Sequence, residues 1–272
     1  MTKEYDQHSQ VAPQHPVRLP LVLWADRDIP PTQAEQLANR LQAPLVWNKP
    51  SGSSLVLRMD KNGLALGLIG AALSRYMLHA DFDRMLPRLK SGGLNRELLI
   101  RAARIRHRQE TQPLLAVDAT AGLGEDALLL AAAGFEVQLC EHNPIIAALL
   151  EDGLRRAKEQ PELAAICCRM HLHAGNSIDF LQQLRIEPDL ILLDPMFPPR
   201  QKSAKVKKKL QLLQMVEQPC PNEEALVQAA LAARPRKLVI KRPRKGSPLA
   251  GISPSYSLIG KAIRFDCMLV RR

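Results

Sequence analysis

Short apolar runs alternate with helix-like stretches along the second half of the chain. Each run has the length and composition of a strand that is buried on both faces of a sheet. The runs are LLAVDA (114–119), FEVQLCE (135–141), RMHLHA (169–174), DLILLD (189–194) and KLVIK (237–241). The predicted helices between them cover 125–133, 144–158, 177–184 and 223–233. This alternation predicts an α/β fold with a doubly wound, mostly parallel sheet. Two further strands, 255–260 and 262–270, are expected to pair antiparallel at its edge.

The first part of the chain follows a different pattern. It contains a predicted strand, a helix from Pro31 and a hairpin over 53–70 with Asn62-Gly63 as its turn. Further along, Gly92-Gly93 is expected to break a helical pattern before a helix that starts near Asn95. The predicted division of the chain is a disordered N-terminus (1–16), a small N-terminal α+β appendage (17–75), a helical connector (76–112) and the main α/β domain (113–272).

Composition places the chain among ordinary globular proteins, with 46% hydrophobic and 24% charged residues. No run of about 18 apolar residues occurs, and the polar N-terminus lacks the apolar core of a signal peptide. We therefore expect a cytoplasmic protein with no membrane partner. The five cysteines contain no CxxC pair and the seven histidines no HExxH pattern, so no metal site is expected.

The positive charge is concentrated at one end of the chain. The net charge is +11, and residues 200–272 hold 17 Lys and Arg against 4 Asp and Glu. The preceding 199 residues are close to neutral, with 21 basic and 23 acidic side chains. A field of this kind attracts polyanions, of which nucleic acid is the commonest. The alternative is a basic surface that serves only solubility.

A glycine loop follows the first strand of the main domain. In VDATAGLGEDA (117–127), Gly122, Gly124 and Ala127 fit the G-x-G-x-x-G/A pattern between a strand and a helix. Glu141 ends the next strand, 19 residues after Gly122, where an acidic residue can accept hydrogen bonds from ribose hydroxyls. These features predict a nucleotide-like cofactor more strongly than a plain tight turn.

The charges around the loop bear on the kind of cofactor. Glu125 and Asp126 occupy the helix start at which a dinucleotide would place its pyrophosphate, and they would repel it. Together with Asp118 at the tip of the first strand, they favour a ligand that carries an ammonium and a sulfonium group. S-adenosylmethionine is such a ligand.

The stretch DLILLDPMFPPR (189–200) ends an apolar strand on Asp194 and continues with three prolines and Phe197. Proline cannot extend a central strand, so a stiff loop begins where the sheet stops. Ligands bind at the carboxyl ends of strands in open parallel sheets, which places Asp194 and Phe197 beside a site. A turn capped by Asp194 with Phe197 in the core is an equally good interpretation of this stretch alone.

Several long motifs together resemble one enzyme family. They are VDATAGLGEDA (117–127), CEHNPIIAALLEDGL (140–154), LDPMFPPRQKSA (193–204), VIKRP (239–243) and IRFD (263–266). From about Gly92 to the C-terminus the chain resembles the bacterial small-subunit ribosomal RNA guanine-N2 methyltransferases of the RsmJ type. The resemblance implies a class I methyltransferase fold that binds S-adenosylmethionine. The cofactor positions that it implies are Glu125, Asp126, Glu141, His142, Gly175, Asn176 and Asp194.

Methyl transfer to an exocyclic amine gives the stretch after Leu193 a chemical role. The Asp194 carboxylate and the Pro195 carbonyl could accept hydrogen bonds from the amine and turn its lone pair towards the methyl group. Phe197 could stack on a base that has been turned out of folded RNA. Amino-methyltransferases carry a similar Asp/Asn-Pro-Pro-aromatic motif, whose second proline is Met196 here.

Two basic clusters are expected to contact RNA phosphates beside the target base. One follows Asp194 directly, and the other follows the fifth strand at the same edge of the sheet. Their members are Arg200, Lys202, Lys205, Lys207, Lys208 and Lys209 in the first cluster and Lys241, Arg242, Arg244 and Lys245 in the second. A solvated loop or helix face remains open for any single member.

The expected function is therefore methyl transfer from S-adenosylmethionine to a guanine N2 in small-subunit (16S) ribosomal RNA. The expected partner is that RNA or the assembling small ribosomal subunit. Three alternatives remain: an amino-methyltransferase acting on DNA adenine or protein glutamine, a nicotinamide-dependent oxidoreductase, and a non-catalytic RNA-binding module.

Overall fold

The computed structural model of the chain describes residues 20–52, 54–70, 77–105, 112–196, 208–217 and 222–270. Two sheets organise these residues, one of five strands and one of seven. The elements of the first unit are β1 (Leu21–Ala25), α1 (Pro31–Leu41), β2 (Leu45–Val46), β3 (Ser54–Asp60), β4 (Gly63–Ile69) and β5 (Met77–Leu78). Its strand order is β2-β1-β3-β4-β5, with β1 parallel to β2 and β3 and the later pairs antiparallel. The fifth strand comes from the segment that was predicted to be a helical connector.

Helix α1 covers one side of this sheet. Pro31 stands in its first turn, where the missing N–H is not needed, and Gln42 ends it in a left-handed conformation. Ala34, Leu37 and Ala38 are buried in the core that the sheet strands share. The helix predicted from Pro31 is therefore confirmed.

The hairpin between β3 and β4 has a different turn from the predicted one. Asp60 pairs with Gly63, so the two turn residues are Lys61 and Asn62, and Gly63 is already the first residue of β4. Gly63 has φ +106°, and a Cβ there would clash with Oδ2 of the Asp152 side chain. The positive φ favours glycine here, and the close approach of the Asp152 side chain adds a contact that the local sequence pattern does not reveal.

The connector consists of short helical pieces. They are a 3-10 turn (Asp83–Met85), α2 (Leu86–Leu89), α3 (Ser91–Leu94) and α4 (Leu98–Ala103). The predicted break at Gly92-Gly93 is wrong, since both glycines lie inside α3. The breaks fall instead at Lys90 and Glu97, whose backbones are extended, so the longer helix begins three residues after Asn95.

The second unit contains the large sheet. Its elements are β6 (Leu115–Asp118), α5 (Glu125–Ala132), β7 (Glu136–Glu141), α6 (Pro144–Lys158), α7 (Pro161–Cys167), β8 (Met170–Ala174), α8 (Ser177–Gln183), β9 (Leu190–Leu193), α9 (Lys208–Val216), α10 (Glu223–Ala232), β10 (Lys237–Pro243), a 3-10 turn (Leu249–Gly251), β11 (Tyr256–Ile259) and β12 (Ile263–Leu269). All the predicted strands and helices of this unit are confirmed, while α7 and α9 were not predicted.

The strand order of the large sheet is β11-β12-β10-β9-β6-β7-β8. Strands β6 to β10 pair in parallel, and β12 runs antiparallel between β10 and β11. Leu190 and Leu192 of β9 belong to one core cluster, and Ile191 and Leu193 to another, so helices cover both faces. The predicted doubly wound sheet is confirmed. The strand order reverses between β6 and β9, and ligands bind at such a switch point.

A third core cluster joins the two units. It contains Leu57 and Leu66 of the small sheet together with Ile146 and Leu149 of α6. The Leu64 N–H donates to Asp152 Oδ2 on α6 over 2.9 Å. The small sheet therefore packs on α6, the helix that follows β7. None of the helices in the described parts of the chain combines the length and apolar character needed to cross a membrane.

Candidate functional site

The loop between β6 and α5 has glycines at two positions where the backbone requires them. Gly122 has φ +54° and Gly124 has φ +77°. A Cβ on Gly124 would lie 2.7 Å from Leu150 Cδ1, whereas a Cβ on Gly122 would meet nothing within 4 Å. Gly124 is thus needed for packing of the loop on α6. Gly122 leaves open space at the switch point, and Gly175 leaves open space beyond the end of β8.

Glu141 at the end of β7 holds this loop in shape. Its side chain is only 3% exposed, and its two oxygens accept the N–H groups of Gly122 (Oε2, 2.8 Å) and Asn143 (Oε1, 2.8 Å). Burial raises the pKa of the Glu141 carboxyl, while the Asn143 N–H and His142 oppose the rise. A buried carboxyl group therefore lies at the carboxyl edge of the sheet, next to the open space at Gly122.

Asp194 follows β9 at the same edge. Its N–H donates to Thr120 Oγ1 over 2.6 Å, which ties the start of the proline loop to the glycine loop. Lys241 on β10 places its Nζ 2.8 Å from Asp194 Oδ2 and 2.6 Å from Asp126 Oδ2. Burial raises the pKa of Asp194, and Lys241 acts against this rise. The carboxylates that the sequence singled out are therefore joined by a lysine.

Asp118 is the last residue of β6 and lies near Asp126, Asp194 and Lys241. It is 1% exposed and accepts the Thr120 N–H over 3.2 Å. Burial, reinforced by the nearby carboxylate of Asp126, raises the pKa of Asp118 to about 8. At neutral pH its carboxyl group is therefore mostly protonated, so it adds little negative charge to the site.

Helix α9 contacts the N-terminal ends of α5 and α6, which lie at the same edge of the sheet. Its Lys209 Nζ lies 2.5 Å from Glu125 Oε1, and the Asn143 side chain donates to the Val216 carbonyl over 2.7 Å. Leu212 and Leu213 are buried in the core shared with α6 and the small sheet. The helix is thus fixed to the starts of both α5 and α6.

Glu217, the residue after α9, faces the end of β7. Side-chain ligand atoms of Glu217, Glu141 and His142 lie within 4.8 Å of one another. Burial, with the carboxyls of Glu141 and Asp194, raises the pKa of Glu217 to about 7. Sequence reasoning missed this residue. Its signal was available, because Glu217 is the only acidic residue in the basic stretch between 200 and 222.

The geometry of this edge agrees with comparisons to known proteins. The family model of SAM-dependent methyltransferases, where SAM is S-adenosylmethionine, matches residues 37–270. The chain belongs to this family. A solved SAM-dependent methyltransferase from Neisseria gonorrhoeae superposes with a TM-score of 0.68 and 28% identity, over 92% of this chain and 96% of that one.

Curated relatives of this methyltransferase have the name ribosomal RNA small subunit methyltransferase J. The protein from Thioalkalivibrio sulfidiphilus is 42% identical over 86% of this chain and 91% of its own length. The relative from Alkalilimnicola ehrlichii is 42% identical over 87% of this chain and 90% of its own length. The relative from Pseudomonas paraeruginosa is 44% identical over 86% of this chain and 88% of its own length.

The edge fits S-adenosylmethionine, the cofactor of this methyltransferase family. Open space faces Gly122 and Gly175, where any larger residue would project a side chain. The Glu141 carboxyl binds the Gly122 N–H beside that space, and the carboxylates of Asp126 and Asp194 lie at the same edge of the sheet. Acidic groups at this edge suit a ligand with sulfonium and ammonium groups. The predicted choice of this cofactor over a dinucleotide is confirmed.

The other predicted cofactor positions of the methyltransferase are close by but differ in exposure. The His142 side chain is 58% exposed, with Nδ1 3.6 Å from Glu141 Oε1. The Gly175 N–H donates to the Glu141 carbonyl over 2.9 Å, so the end of β8 adjoins the end of β7. Asn176 is exposed and accepts the Ile178 N–H as the N-cap of α8, which occupies its side-chain oxygen.

Several of the residues that the sequence predicts to contact RNA cannot be placed, because they fall outside the described residues. Phe197, Arg200, Lys202, Lys205 and Lys207 lie outside the described residues. Lys208 is exposed at the start of α9, as phosphate contact requires.

The prediction that Lys241 and Arg242 present their charges to phosphates does not agree with their positions. Alternate residues of β10 point to opposite faces of the sheet. On one face the Lys241 ammonium is bound to Asp126 and Asp194. On the other, Arg242 is only 6% exposed and its Nε donates to the Ser247 carbonyl over 2.9 Å.

Proposed function

We propose that this methyltransferase transfers the methyl group of S-adenosylmethionine to the exocyclic N2 of a guanine in small-subunit (16S) ribosomal RNA. The observation that carries the proposal is the Asp194 carboxylate, bound by Lys241 at the end of β9 and next to the glycine loop. The names of the relatives and the 17 Lys and Arg residues after residue 199 support RNA as the substrate class.

When bound, S-adenosylmethionine supplies an electrophilic methyl group on a sulfonium. The guanine amine is a weak nucleophile because its lone pair is delocalised into the ring. The Asp194 carboxylate and the carbonyl of buried Pro195 accept hydrogen bonds from the two N–H groups of the amine. These bonds reduce the delocalisation of the nitrogen lone pair into the ring and direct it towards the methyl group. Asp194 then takes up the proton that the alkylated amine releases, so no base is needed before transfer.

The remaining predicted residues have roles in RNA binding under this proposal. Phe197 stacks on the extruded base. The basic residues Arg200, Lys202, Lys205, Lys207 and Lys208 contact phosphates next to it. The reaction takes place in the cytoplasm, where small ribosomal subunits are assembled.

A second candidate is methyl transfer to the amine of DNA adenine. The same carboxylate and carbonyl acceptors would orient that amine, and DNA is equally attracted by the basic residues. A protein glutamine is less suited, because the positive charge would give it no advantage.

The deciding experiment is labelled methyl transfer from S-adenosylmethionine to small subunits and to their stripped RNA, both from cells that lack this protein. Nucleoside digestion identifies the product. We expect N2-methylguanosine, and we expect Asp194→Ala to lower its rate by about 100-fold or more while S-adenosylhomocysteine still binds. The control is Asp28→Asn, which changes an exposed carboxyl group in the turn between β1 and α1. DNA is assayed in parallel. Labelled adenine in DNA together with unlabelled RNA, or no labelled RNA although S-adenosylhomocysteine still binds, would contradict the RNA proposal.

A further inference from the structure

Lys241 is bound to two carboxylates at the candidate site. It lies one residue beyond Ile240, which is in register with Leu193 of β9, so Lys241 and Asp194 are neighbours across two parallel strands. Its ammonium reaches Oδ2 of Asp194 at 2.8 Å and Oδ2 of Asp126 at 2.6 Å. The lysine thereby links β10 to the end of β9 and to the first turn of α5.

Several ionisable groups act on Asp194 from the elements around it. They are Asp118 on β6, Asp126 on α5, Lys241 and Arg242 on β10, and Glu217 after α9. Burial raises the pKa of Asp194, Lys241 lowers it, and Asp126 raises it again. The effect of Arg242 on that pKa is smaller, because its guanidinium points to the opposite face of the sheet. Among the described residues, Lys241 is therefore the group that most lowers the pKa of Asp194.

We propose that Lys241 is a positioning residue for methyl transfer: its ammonium holds Oδ2 of Asp194 and leaves Oδ1 to accept the hydrogen bond from the target amine. This inference rests on the proposed function. The Asp194 backbone is fixed separately by Thr120. Loss of Lys241 would therefore release the carboxylate while the start of the loop stays in place.

The test compares Lys241→Met, Lys241→Arg and the control Lys261→Met, whose lysine is exposed in the turn between β11 and β12. We expect Lys241→Met to lower kcat on small-subunit RNA by about 10- to 100-fold. The KM for RNA and the Kd for S-adenosylhomocysteine should change less than about threefold, because Lys241 acts through Asp194. Lys241→Arg should recover much of kcat, and Lys261→Met should match the wild type.

The pH profile adds a result that a purely structural role would not produce. Without the ammonium, burial and Asp126 raise the pKa of Asp194 further. The acid limb of the kcat profile of Lys241→Met should therefore move to higher pH, and that of Lys241→Arg should move back. An unchanged kcat would overturn the proposal. So would a loss confined to S-adenosylhomocysteine affinity, which would make Lys241 a cofactor ligand, or a loss confined to the KM for RNA, which would make it a phosphate contact.

A measurement that needs no substrate separates this inference from the proposed function. Carbon-13 NMR of labelled aspartate, with Asp194→Asn to assign the signal, follows the Asp194 carboxyl in wild type and in both lysine variants. We expect it to titrate at higher pH in Lys241→Met than in Lys241→Arg or wild type. Equal titration in all three would overturn the inference even if RNA is methylated. If no RNA is methylated, the proposed function fails, and the NMR shift still decides whether Lys241 controls Asp194. Thermal unfolding of the variants establishes that they fold.

Discussion

Asp118 has an unusual protonation state because of where β6 ends. Its carboxyl group is buried and faces the carboxylates of Asp126 and Asp194, and these effects raise its pKa from 3.8 to about 8. In the folded protein it keeps its proton at neutral pH, whereas the unfolded chain releases that proton near pH 4. The ionisation of this one residue therefore opposes folding above that pH.

We predict that Asp118→Asn becomes more stabilising as the pH rises. A neutral amide avoids the ionisation that favours the unfolded chain. The free energy of unfolding of the variant relative to wild type should rise between about pH 4 and pH 8, by at most about 1.4 kcal/mol per pH unit, and then stay level. Urea unfolding at pH 5, 7 and 9 measures this difference. A difference that is the same at all three values would contradict the prediction.

The sequence predicted some residues of the site and missed others for a physical reason. Glu141 and Asp194 were predictable because each ends an apolar strand, and strand ends of a parallel sheet meet at one edge. The position of Lys241 on Asp194 depends on the register of β9 and β10, which no local pattern encodes. Glu217 depends on the packing of a helix that was not predicted. Pairings between distant segments were therefore the unpredictable part of the site.

At the scale of elements, α9 is the piece that ties the site together. It is bound to Glu125 of α5 through Lys209 and to Asn143 of α6 through the Val216 carbonyl. Asn143 also caps α6 by accepting the N–H groups of Ile145 and Ile146. The Asn143 side chain thus forms hydrogen bonds with both the first turn of α6 and the last residue of α9.

We predict that Asn143→Ala weakens both helices. Loss of the cap should lower the free energy of unfolding by about 1–2 kcal/mol. Loss of the bond to Val216 should speed hydrogen exchange in α9 and weaken S-adenosylhomocysteine binding severalfold, because Lys209 of α9 then no longer holds Glu125, a predicted cofactor position. The measurements are urea unfolding, exchange mass spectrometry and calorimetry.

Asn222→Ala is the matched control for this variant. Asn222 caps α10 by accepting the Ala225 N–H over 2.8 Å. Its loss should cost a similar amount of stability while exchange in α9 stays at the wild-type rate. Equal effects of both variants on α9 would mean that the bond to Val216 does not fix the helix.

Element prediction was good where a helix or strand has its own signal. Pro144 and the apolar runs defined α6 and the five parallel strands. Helix α9 was missed because its apolar residues directly follow a lysine-rich stretch that is typical of a loop. What stabilises α9 is the burial of Leu212 and Leu213 against other elements, which exists only in the folded chain.

At the scale of the whole molecule, the two units share one core and are closely docked. The Arg156 side chain donates to the Ala80 carbonyl over 2.7 Å, and Gly63 lies against Asp152 and Arg156 of the same helix. The small sheet is therefore part of the cooperative structure that carries the site. We propose that residues 17–75 form an appendage whose stability depends on this docking.

We predict that Gly63→Ala loosens the docking of the small sheet. Its new Cβ would meet Oδ2 of Asp152 and the end of the Arg156 side chain, so these side chains must shift and the bond from Leu64 to Asp152 is disturbed. The free energy of unfolding should fall by about 2–4 kcal/mol. The control is Gly52→Ala, which has a similar backbone (φ +84°) but nothing within 4 Å of the new Cβ, and should lose only about 1–2 kcal/mol. Equal losses in urea unfolding would mean that the contact with α6 contributes nothing.

The bond between Leu64 and Asp152 spans 88 residues of chain, and this has a consequence during synthesis. A ribosome adds about 5–20 residues per second, so α6 leaves the exit tunnel roughly 4–18 seconds after the hairpin does. For that time the apolar face of the small sheet has no partner. The nascent chain therefore exposes an apolar face for several seconds, and we expect substitutions that strengthen the hairpin by itself to reduce aggregation during translation.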